Sequence, residues 1–186
     1  YETAGDDEGR ADTYNNIGVV YYSMAAYTTA LDYYLKALPI YERTGNRRFA
    51  NVLTNIGIIY KNLSEPARAL EYYRRALLIY EKADNRRGVA LTLANIGNVY
   101  DDLDSTAQAL EYHRRALLLN QSLGSKKGVA NNLNSIGIIS SGVSDYPRAL
   151  QHLQQSLHLY GELGDKNSMS VALMEIGKIY RQASER

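Results

Sequence analysis

The chain has 186 residues, of which 45% are hydrophobic and 22% charged, and its 21 basic and 20 acidic side chains leave a formal charge of +1. These values are typical of a folded globular chain, and the balanced charge gives no field that would attract nucleic acid or an anionic membrane. Because cysteine is absent, disulfides, thiol nucleophiles and thiolate metal sites are excluded. No apolar run approaches the roughly 18 residues that a membrane span requires.

One aromatic residue type dominates the composition, since 17 tyrosines accompany one phenylalanine and no tryptophan. This bias indicates that a short pattern has been copied. An Ile-Gly dipeptide recurs at intervals of 39, 40, 40 and 40 residues, and a fixed period of this length along the whole chain indicates a solenoid of stacked repeats. The recurring glycines, which serve below as reference positions, are Gly18, Gly57, Gly97, Gly137 and Gly177.

Each complete repeat contains two segments with helical periodicity. The first segment spans the recurring glycine, and in the first copy it runs from Ala11 to Met24 with apolar residues at helical spacing. The second segments are predicted as helices at 28–43, 66–82, 106–123 and 146–163, and Pro39 is expected to bend the first of them. Polar connectors with glycine are predicted at 45–48, 85–88, 124–128 and 164–167. No segment alternates with period two, so the fold class is all-α.

The period also predicts how the chain is divided. Residues 11–49, 50–89, 90–129 and 130–169 form four repeats, and residues 170–186 form the first helix of a fifth. The segment Tyr1–Asp6 lines up with Tyr41–Asn46, which predicts residues 1–10 as the tail of a preceding repeat. We therefore expect a fragment of a longer array, with any catalytic domain of the parent protein outside it.

The repeat resembles the tetratricopeptide repeat (TPR) over essentially the whole chain. The resemblance implies a right-handed superhelix, or α-solenoid, of antiparallel helix pairs. Copies of about 40 residues are most similar to arrays in bacterial signalling proteins, such as sensor histidine kinases and nucleotide cyclases, and also to kinesin light chain and Pins-type adaptors. The glycine that the family places between the two helices is replaced by Ala25, Ser64, Asp104 and Ser144, which predicts strained turns. In the second copy the resemblance is carried by Ala50, Leu53, Ile56, Gly57, Tyr60, Ala69, Tyr73 and Ala76.

No catalytic, cofactor or metal site is predicted. His113, His152 and His158 lie on second helices, and the last two are six residues apart, which directs them to different faces rather than to one metal ion. The spacing around the acidic cluster at Asp101 matches neither an acid–base pair nor a calcium loop. Recurring basic pairs are interspersed with acidic residues, which is a solubility pattern rather than a nucleic-acid stripe.

Helix geometry separates two sides of each first helix. Positions −4, −1, 0 and +3 relative to the recurring glycine share one side and are apolar or small, so that side is buried. Positions −6, −3, −2, +1, +4 and +5 share the opposite side, which lines the concave groove in the family; we call it the groove face. We predict a peptide-binding groove formed by Asn15, Asn16, Val19, Asn51, Asn55, Ile58, Asn62, Asn95, Asn98, Asn131 and Asn134.

Asparagine is a poor helix former, so its repeated placement on the groove face needs a reason. A carboxamide both donates and accepts, and can pair with the backbone of an extended peptide whatever its sequence. The alternative is that the asparagine two residues before each glycine braces the neighbouring repeat. Both interpretations stay open at this stage. The cation cluster with which chaperone-binding TPR proteins hold a terminal carboxylate is missing.

The sequence therefore predicts a non-enzymatic scaffold for protein interaction that binds a peptide in its groove. We expect the sensory or docking region of a larger cytoplasmic, bacterial signal-transduction protein, with a protein or peptide partner, no nucleic acid, no membrane and no cofactor. The alternative is a self-association module that positions output domains as a dimer. It would use the apolar ends of the solenoid, where Val171, Leu173 and Ile176 lie.

Overall fold

The structure, a computed structural model, describes residues 2–184, and within this range the side chains of 7–182 and 184. Over these residues the chain forms nine α-helices and no strand, which confirms the predicted fold class. Each first helix is odd-numbered and each second helix even-numbered. The helices are α1 (Glu2–Ser23), α2 (Tyr27–Thr44), α3 (Phe49–Asn62), α4 (Pro66–Lys82), α5 (Arg86–Asp102), α6 (Thr106–Ser122), α7 (Lys126–Gly142), α8 (Tyr146–Leu163) and α9 (Lys166–Ser184).

The helices group into two compact units, Tyr1–Asn85 and Arg86–Arg186. In the first unit, α1 packs on α2, α2 on α3, and α3 on α4. In the second unit, α5 packs on α6, α6 on α7, α7 on α8, and α8 on α9. Here α7 also contacts the first helices on both of its sides, α5 and α9. Each unit therefore buries its apolar residues by stacking consecutive helices, as a solenoid requires.

The recurring glycine is the point of closest approach within each helix pair. A Cβ atom added to Gly57 would lie 2.6 Å from Cε1 of Tyr73, and one added to Gly97 would lie 2.8 Å from Cδ2 of His113. The corresponding neighbours of Gly18 and Gly137 are Tyr34 and Leu153. In every case the neighbour lies 16 residues after the glycine. A large side chain on the second helix thus fills the space that the missing side chain leaves.

Tyrosine stacks cover the exposed edge of three helix pairs. Tyr60 stacks on Tyr72 with ring centroids 5.4 Å apart, and the guanidinium of Arg75 lies 5.4 Å from the Tyr72 centroid. Equivalent stacks join Tyr21 to Tyr33 and Tyr100 to Tyr112. One member of the recurring arginine pairs, which the sequence indicated only as a solubility pattern, therefore contributes a cation–π contact in α4; Arg115 does the same in α6.

The turn inside each helix pair is strained, as the sequence predicted. Ala25, Ser64, Asp104 and Ser144 have φ values of 57°, 58°, 53° and 61°, in the left-handed region that favours glycine. The N–H of the following residue donates to a carbonyl five residues back, as in Glu65 to Tyr60 at 2.8 Å. This bond closes the first helix. Only three residues lie between the paired helices. This short turn forces the positive φ of its central residue.

Several predicted boundaries differ from the structure. The connectors at 85–88, 124–128 and 164–167 are shorter than predicted, because α5, α7 and α9 begin at Arg86, Lys126 and Lys166. Gly128 belongs to the first turn of α7, where its missing side chain lets Asn120 of α6 lie against the backbone. Glycine there reflects close packing rather than helix termination.

The structure also describes most of the two predicted end segments and the helix that contains Pro39. Residues 2–10, predicted as the tail of a preceding repeat, are continuous with α1, although they include two glycines, Gly5 and Gly9. Residue 1 of that tail and residues 185–186 of the fifth-repeat segment lie outside the described residues. Helix α2 continues through Pro39, whose exposed position places the ring at the surface of the helix.

One buried polar cluster interrupts the apolar core of the second unit. His113 is 1% exposed, and its Nδ1 lies 3.3 Å from Oδ1 of Asn132, whose Nδ2 donates to the Gly128 carbonyl at 2.8 Å. Since Asn132 presents an acceptor, the neutral ring carries its proton on Nδ1. Burial lowers the pKa of His113, and the hydrogen bond to Asn132 opposes that shift.

The first prediction concerns the glycine contact. Gly97→Leu should lower the free energy of unfolding by about 1–3 kcal/mol, because the new side chain collides with His113. Gly177→Leu is the matched control, since nothing lies within 4 Å of a Cβ at Gly177 in α9. Urea denaturation of both variants measures the difference. Equal stability of the two variants would contradict the assignment of Gly97 to the helix contact.

The second prediction concerns the strained turns. Ser64→Gly should raise the free energy of unfolding by about 0.5–1 kcal/mol, because glycine accepts the positive φ without steric cost. Ser170→Gly, within α9 at an exposed position, should lower it by about 0.5 kcal/mol. Thermal melting compares the two substitutions, and a loss of stability in Ser64→Gly would argue against strain at that turn.

The third prediction concerns pH. Because the pKa of His113 is lowered in the folded state, the unfolded chain binds more protons below the reference value of 6.5. The stabilising effect of the neutral ring is therefore present above pH 6.5 and is lost as pH falls through the lower folded-state pKa. His113→Tyr, which copies Tyr34 and Tyr73, should reduce the loss of stability between pH 7 and pH 5 in urea denaturation. An unchanged pH dependence in His113→Tyr would contradict this role of the buried ring.

Candidate peptide-binding face

In the first unit, the groove-face residues lie on α1 and α3 and most remain accessible. Asn16 and Val19 of α1 are exposed and Asn15 is half-buried, with its Nδ2 3.5 Å from Oδ1 of Asn16. On α3, Asn51 and Asn62 are exposed, and Asn55 and Ile58 are half-buried. The buried side of α3, which carries Leu53, Ile56 and Tyr60, faces the core. The division of the helix into two sides therefore agrees with the predicted periodicity.

In the second unit, the groove-face asparagines lie on α5 and α7, which are in contact. Asn95 and Asn98 of α5 and Asn134 of α7 are half-buried, whereas Asn131 of α7 is exposed. Leu91 of α5, at the position that corresponds to Asn131, is 55% exposed.

Tyrosines at the ends of three second helices hold the groove-face residue six positions before the glycine. The Tyr80 hydroxyl donates to Oδ1 of Asn51 at 2.6 Å, and the Tyr160 hydroxyl donates to Oδ1 of Asn131 at 3.0 Å. In the first pair, Tyr41 donates to Oδ1 of Asp12 at 2.5 Å. Each bond joins residues 29 apart, so sequence reasoning missed it, although the fixed spacing of the two residue types was a usable signal. We call these three bonds the tyrosine latches.

The first latch is also charged. Arg48 forms an ion pair with Asp12, and hydrogen bonds from Arg48 and Tyr41 hold the pKa of Asp12 below its ordinary value. Burial, followed by the hydrogen bond to Asp12, raises the pKa of Tyr41 to about 12. The third helix pair has no such latch, because Leu91 and Asn120 occupy the two positions. The six-before position is thus a link between paired helices wherever an acceptor is present.

The amides nearer the glycine behave differently. Asn95 Nδ2 on α5 and Asn134 Oδ1 on α7 are covered atoms with no hydrogen-bond partner. One is a donor and the other an acceptor, and they lie on neighbouring first helices of the same unit. An unpaired buried amide atom is unfavourable by about 1–3 kcal/mol. The two amides therefore use only part of their hydrogen-bonding capacity inside the protein.

A cavity of about 650 Å³ opens on the groove face between α7 and α9. One side of it is closed by Ser144, in the turn after α7, and by Tyr146, the first residue of α8. Within it, Lys178 donates to Oε1 of Glu175 at 2.5 Å, and the Tyr146 hydroxyl donates to Oε1 of Gln182 at 3.3 Å. The residues that the two helices contribute to the lining are Ile138, Ser141, Gly142, Glu175, Lys178 and Gln182.

The remaining candidate groups do not assemble into a chemical centre. His152 and His158 contact Arg148 and Glu162 respectively, each within α8. No group of three or more acidic or histidine side chains that could hold a metal ion occurs in the described part of the chain. Among those same residues, no helix is both long and apolar enough to cross a membrane.

Comparison with known families and structures identifies the repeat and the fold of this chain. Family models described as Tetratricopeptide repeat match residues 48–122 and residues 10–44, which together cover more than half of the chain. No curated protein matches the chain.

Three similar solved structures share the fold. BtubC (BKLC) from P. vanneervenii is 22% identical with a TM-score of 0.75, covering 83% of this chain and 64% of that chain. Aspartyl phosphate phosphatase F from Bacillus subtilis is 18% identical with a TM-score of 0.85, covering 90% and 44%. A Rap protein complexed with Competence and Sporulation Factor is 18% identical with a TM-score of 0.82, covering 95% and 50%. This chain thus spans 44% to 64% of the length of these three chains.

At sequence identities of 18% to 22%, the likeness to these solved structures shows the fold and no more. The family models identify the repeat itself. One of the three structures is named a phosphatase, but the tetratricopeptide repeat is a non-catalytic scaffold for protein interaction. The helix pairs and the recurring glycine contact of the structure agree with the repeat that these family models identify. The chain belongs to the tetratricopeptide repeat family.

Proposed function

We propose that this chain binds an extended segment of a partner protein along its groove face. The observation that carries the proposal is the set of exposed or half-buried asparagines on the groove face, of which Asn95 and Asn134, on two helices in contact, each keep one amide atom without a partner. An extended peptide presents N–H and C=O groups alternately, and could pair with such carboxamides without a particular side chain. Each completed hydrogen bond would contribute about 0.5–1.5 kcal/mol.

Bracing within a helix pair occurs six positions before the glycine, a different set from the asparagines two before it, for which the sequence left binding and bracing open. Asn51 and Asn131 already accept from Tyr80 and Tyr160, which links the two helices of their own pairs. We therefore assign a structural role to the six-before position. Peptide binding is proposed for the asparagines two and three positions before the glycine, among them Asn16, Asn55 and Asn95.

The kind of partner follows from the charge of the face. Positions −3, −2 and +1 on α1, α3, α5 and α7 carry no lysine or arginine that would hold a terminal carboxylate. An internal, extended segment of the partner is therefore favoured over a chain terminus. A solved chain of the same fold is a Rap protein complexed with Competence and Sporulation Factor, which supports ligand binding by an array of this kind.

The biological setting that we propose is the sensory or docking region of a larger bacterial, cytoplasmic signalling protein. The support is the 40-residue period, which resembles arrays in such proteins, and the coverage of 44% to 64% of the similar solved chains. In this setting, occupancy of the groove would report the partner's presence to an output domain.

Self-association is a second candidate, favoured by the free side of α9. Leu173 and Tyr180 are 52% and 57% exposed, although their counterparts Leu53 and Tyr60 are buried against α4. Nothing lies within 4 Å of a Cβ at Gly177. Two copies could bury this side against each other. Light scattering over a range of concentrations tests this candidate, and Tyr180→Lys should abolish a dimer that uses α9.

The prediction from the main proposal is a triple replacement. Asn16→Ala, Asn55→Ala and Asn95→Ala together should raise helix propensity by a few tenths of a kcal/mol each. Binding should weaken, up to about a thousandfold if each lost hydrogen bond is worth the upper value. The probes are dodecamer peptides selected on the parent chain from a displayed random library, and affinity is measured by calorimetry.

Asn51→Ala is the control for this experiment. It removes the acceptor of the part-buried Tyr80 hydroxyl, so it should lower the free energy of unfolding by about 1 kcal/mol and leave peptide affinity nearly unchanged. A triple variant that melts at lower temperature yet retains full affinity would refute the groove proposal and support bracing. Failure to select any peptide would refute it as well.

A further inference from the structure

The cavity between α7 and α9 exists because the end of α7 carries very small residues. The residues four and five positions after the recurring glycine are Ser141 and Gly142 on α7. The same two positions hold larger side chains on three other first helices: Lys61 and Asn62, Asp101 and Asp102, and Arg181 and Gln182. Nothing lies within 4 Å of a Cβ at Gly142. The groove face therefore deepens at this one helix.

The lining of the cavity is polar and close to neutral. Glu175 occupies the position where α1, α3 and α5 carry asparagine, and its side chain is 14% exposed. Lys178 neutralises it through a hydrogen bond of 2.5 Å. The remaining polar groups are the hydroxyls of Ser141 and Ser144 and the Tyr146–Gln182 pair. The cavity thus offers both donors and acceptors without a net charge.

This balance discriminates against charged groups. A cationic side chain that approached Glu175 would lie close to the Lys178 ammonium, and an anionic one that approached Lys178 would lie close to the Glu175 carboxylate. Either charge would also have to break the existing ion pair or remain unpaired in a partly enclosed site. A carboxamide or hydroxyl meets neither penalty, because it can donate to one group and accept from another.

We propose that this cavity is a specificity pocket for a neutral polar side chain, of the asparagine, glutamine, serine or threonine class, on the bound segment. The inference rests on the proposed function, because it assigns one position of the groove ligand. A volume of about 650 Å³ is within the range of protein ligand sites and exceeds one side chain. Backbone of the ligand would therefore enter the mouth of the pocket with the side chain.

The test uses small probes that need no extended ligand. N-acetyl-glutamine methylamide is titrated into the 186-residue chain while the amide ¹H–¹⁵N resonances are followed by NMR. The matched probes carry lysine, glutamate or leucine in place of glutamine. Saturable shifts should centre on Ser141, Gly142 and Lys178 with the glutamine probe, and each of the other probes should bind at least about tenfold more weakly.

Two glycine substitutions supply the variant and its control. Gly142→Gln places a side chain in the open space of the pocket and should weaken the glutamine probe about tenfold or more. Gly161→Gln, on α8 and outside the pocket, meets only Met169 at 3.9 Å and should leave binding unchanged. Both variants should keep the helical circular dichroism of the parent, which separates loss of the pocket from loss of the fold.

The outcomes separate this inference from the groove proposal. If the selected dodecamers bind and the triple alanine variant loses them, but the glutamine probe fails to saturate, the pocket assignment is wrong and the groove proposal stands. If the glutamine probe binds at the pocket but no dodecamer binds, the preference of the cavity for neutral polar groups is supported, whereas the groove proposal, and with it the role of the cavity in a groove ligand, is wrong. Equal affinity for the charged and glutamine probes, or unchanged binding by Gly142→Gln, would overturn the specificity that we assign.

Discussion

Close contact between paired helices at the recurring glycine is the constraint on which the rest of the molecule depends. With a Cβ position only 2.6–2.8 Å from the opposing side chain at Gly18, Gly57, Gly97 and Gly137, no larger residue fits without displacement of that side chain. This contact fixes the register of each helix pair. The register in turn aligns residues 29 apart, so that the tyrosine latches can form. Without it, the groove face would have no defined geometry.

The fixed register also explains why the groove-face asparagines differ in their hydrogen bonds. Six positions before the glycine, the asparagine side chain lies beside the end of the second helix of the same pair. A tyrosine hydroxyl there donates a hydrogen bond to the amide oxygen. At two and three positions before it, Asn95 and Asn134 retain an unpaired donor and acceptor. The same residue type therefore braces a helix pair at one position and keeps an unpaired amide atom at another.

Departures from the repeat have local physical consequences. His113 replaces the tyrosine found in two other pairs and introduces a buried ring whose Nδ1 pairs with Asn132 and whose Nε2 has no partner. Ser141 and Gly142 replace larger residues and open the cavity beside Glu175. Leu91 replaces the latch acceptor and leaves an apolar side chain 55% exposed. These three departures all lie in the second unit.

The sequence by itself determined the repeat, the all-α class, most helix bounds, the buried side of the first helices and the strained turns. These features depend on local periodicity and on backbone preferences that neighbouring residues impose. Tertiary structure decided which amides are already occupied, since the partner of Asn51 is 29 residues away and only helix pairing brings it within 2.6 Å. It also decided the cavity between α7 and α9, because empty space arises from two helices together. A pattern within one helix determines which side faces the core, whereas unused hydrogen-bonding capacity depends on what every neighbouring helix contributes.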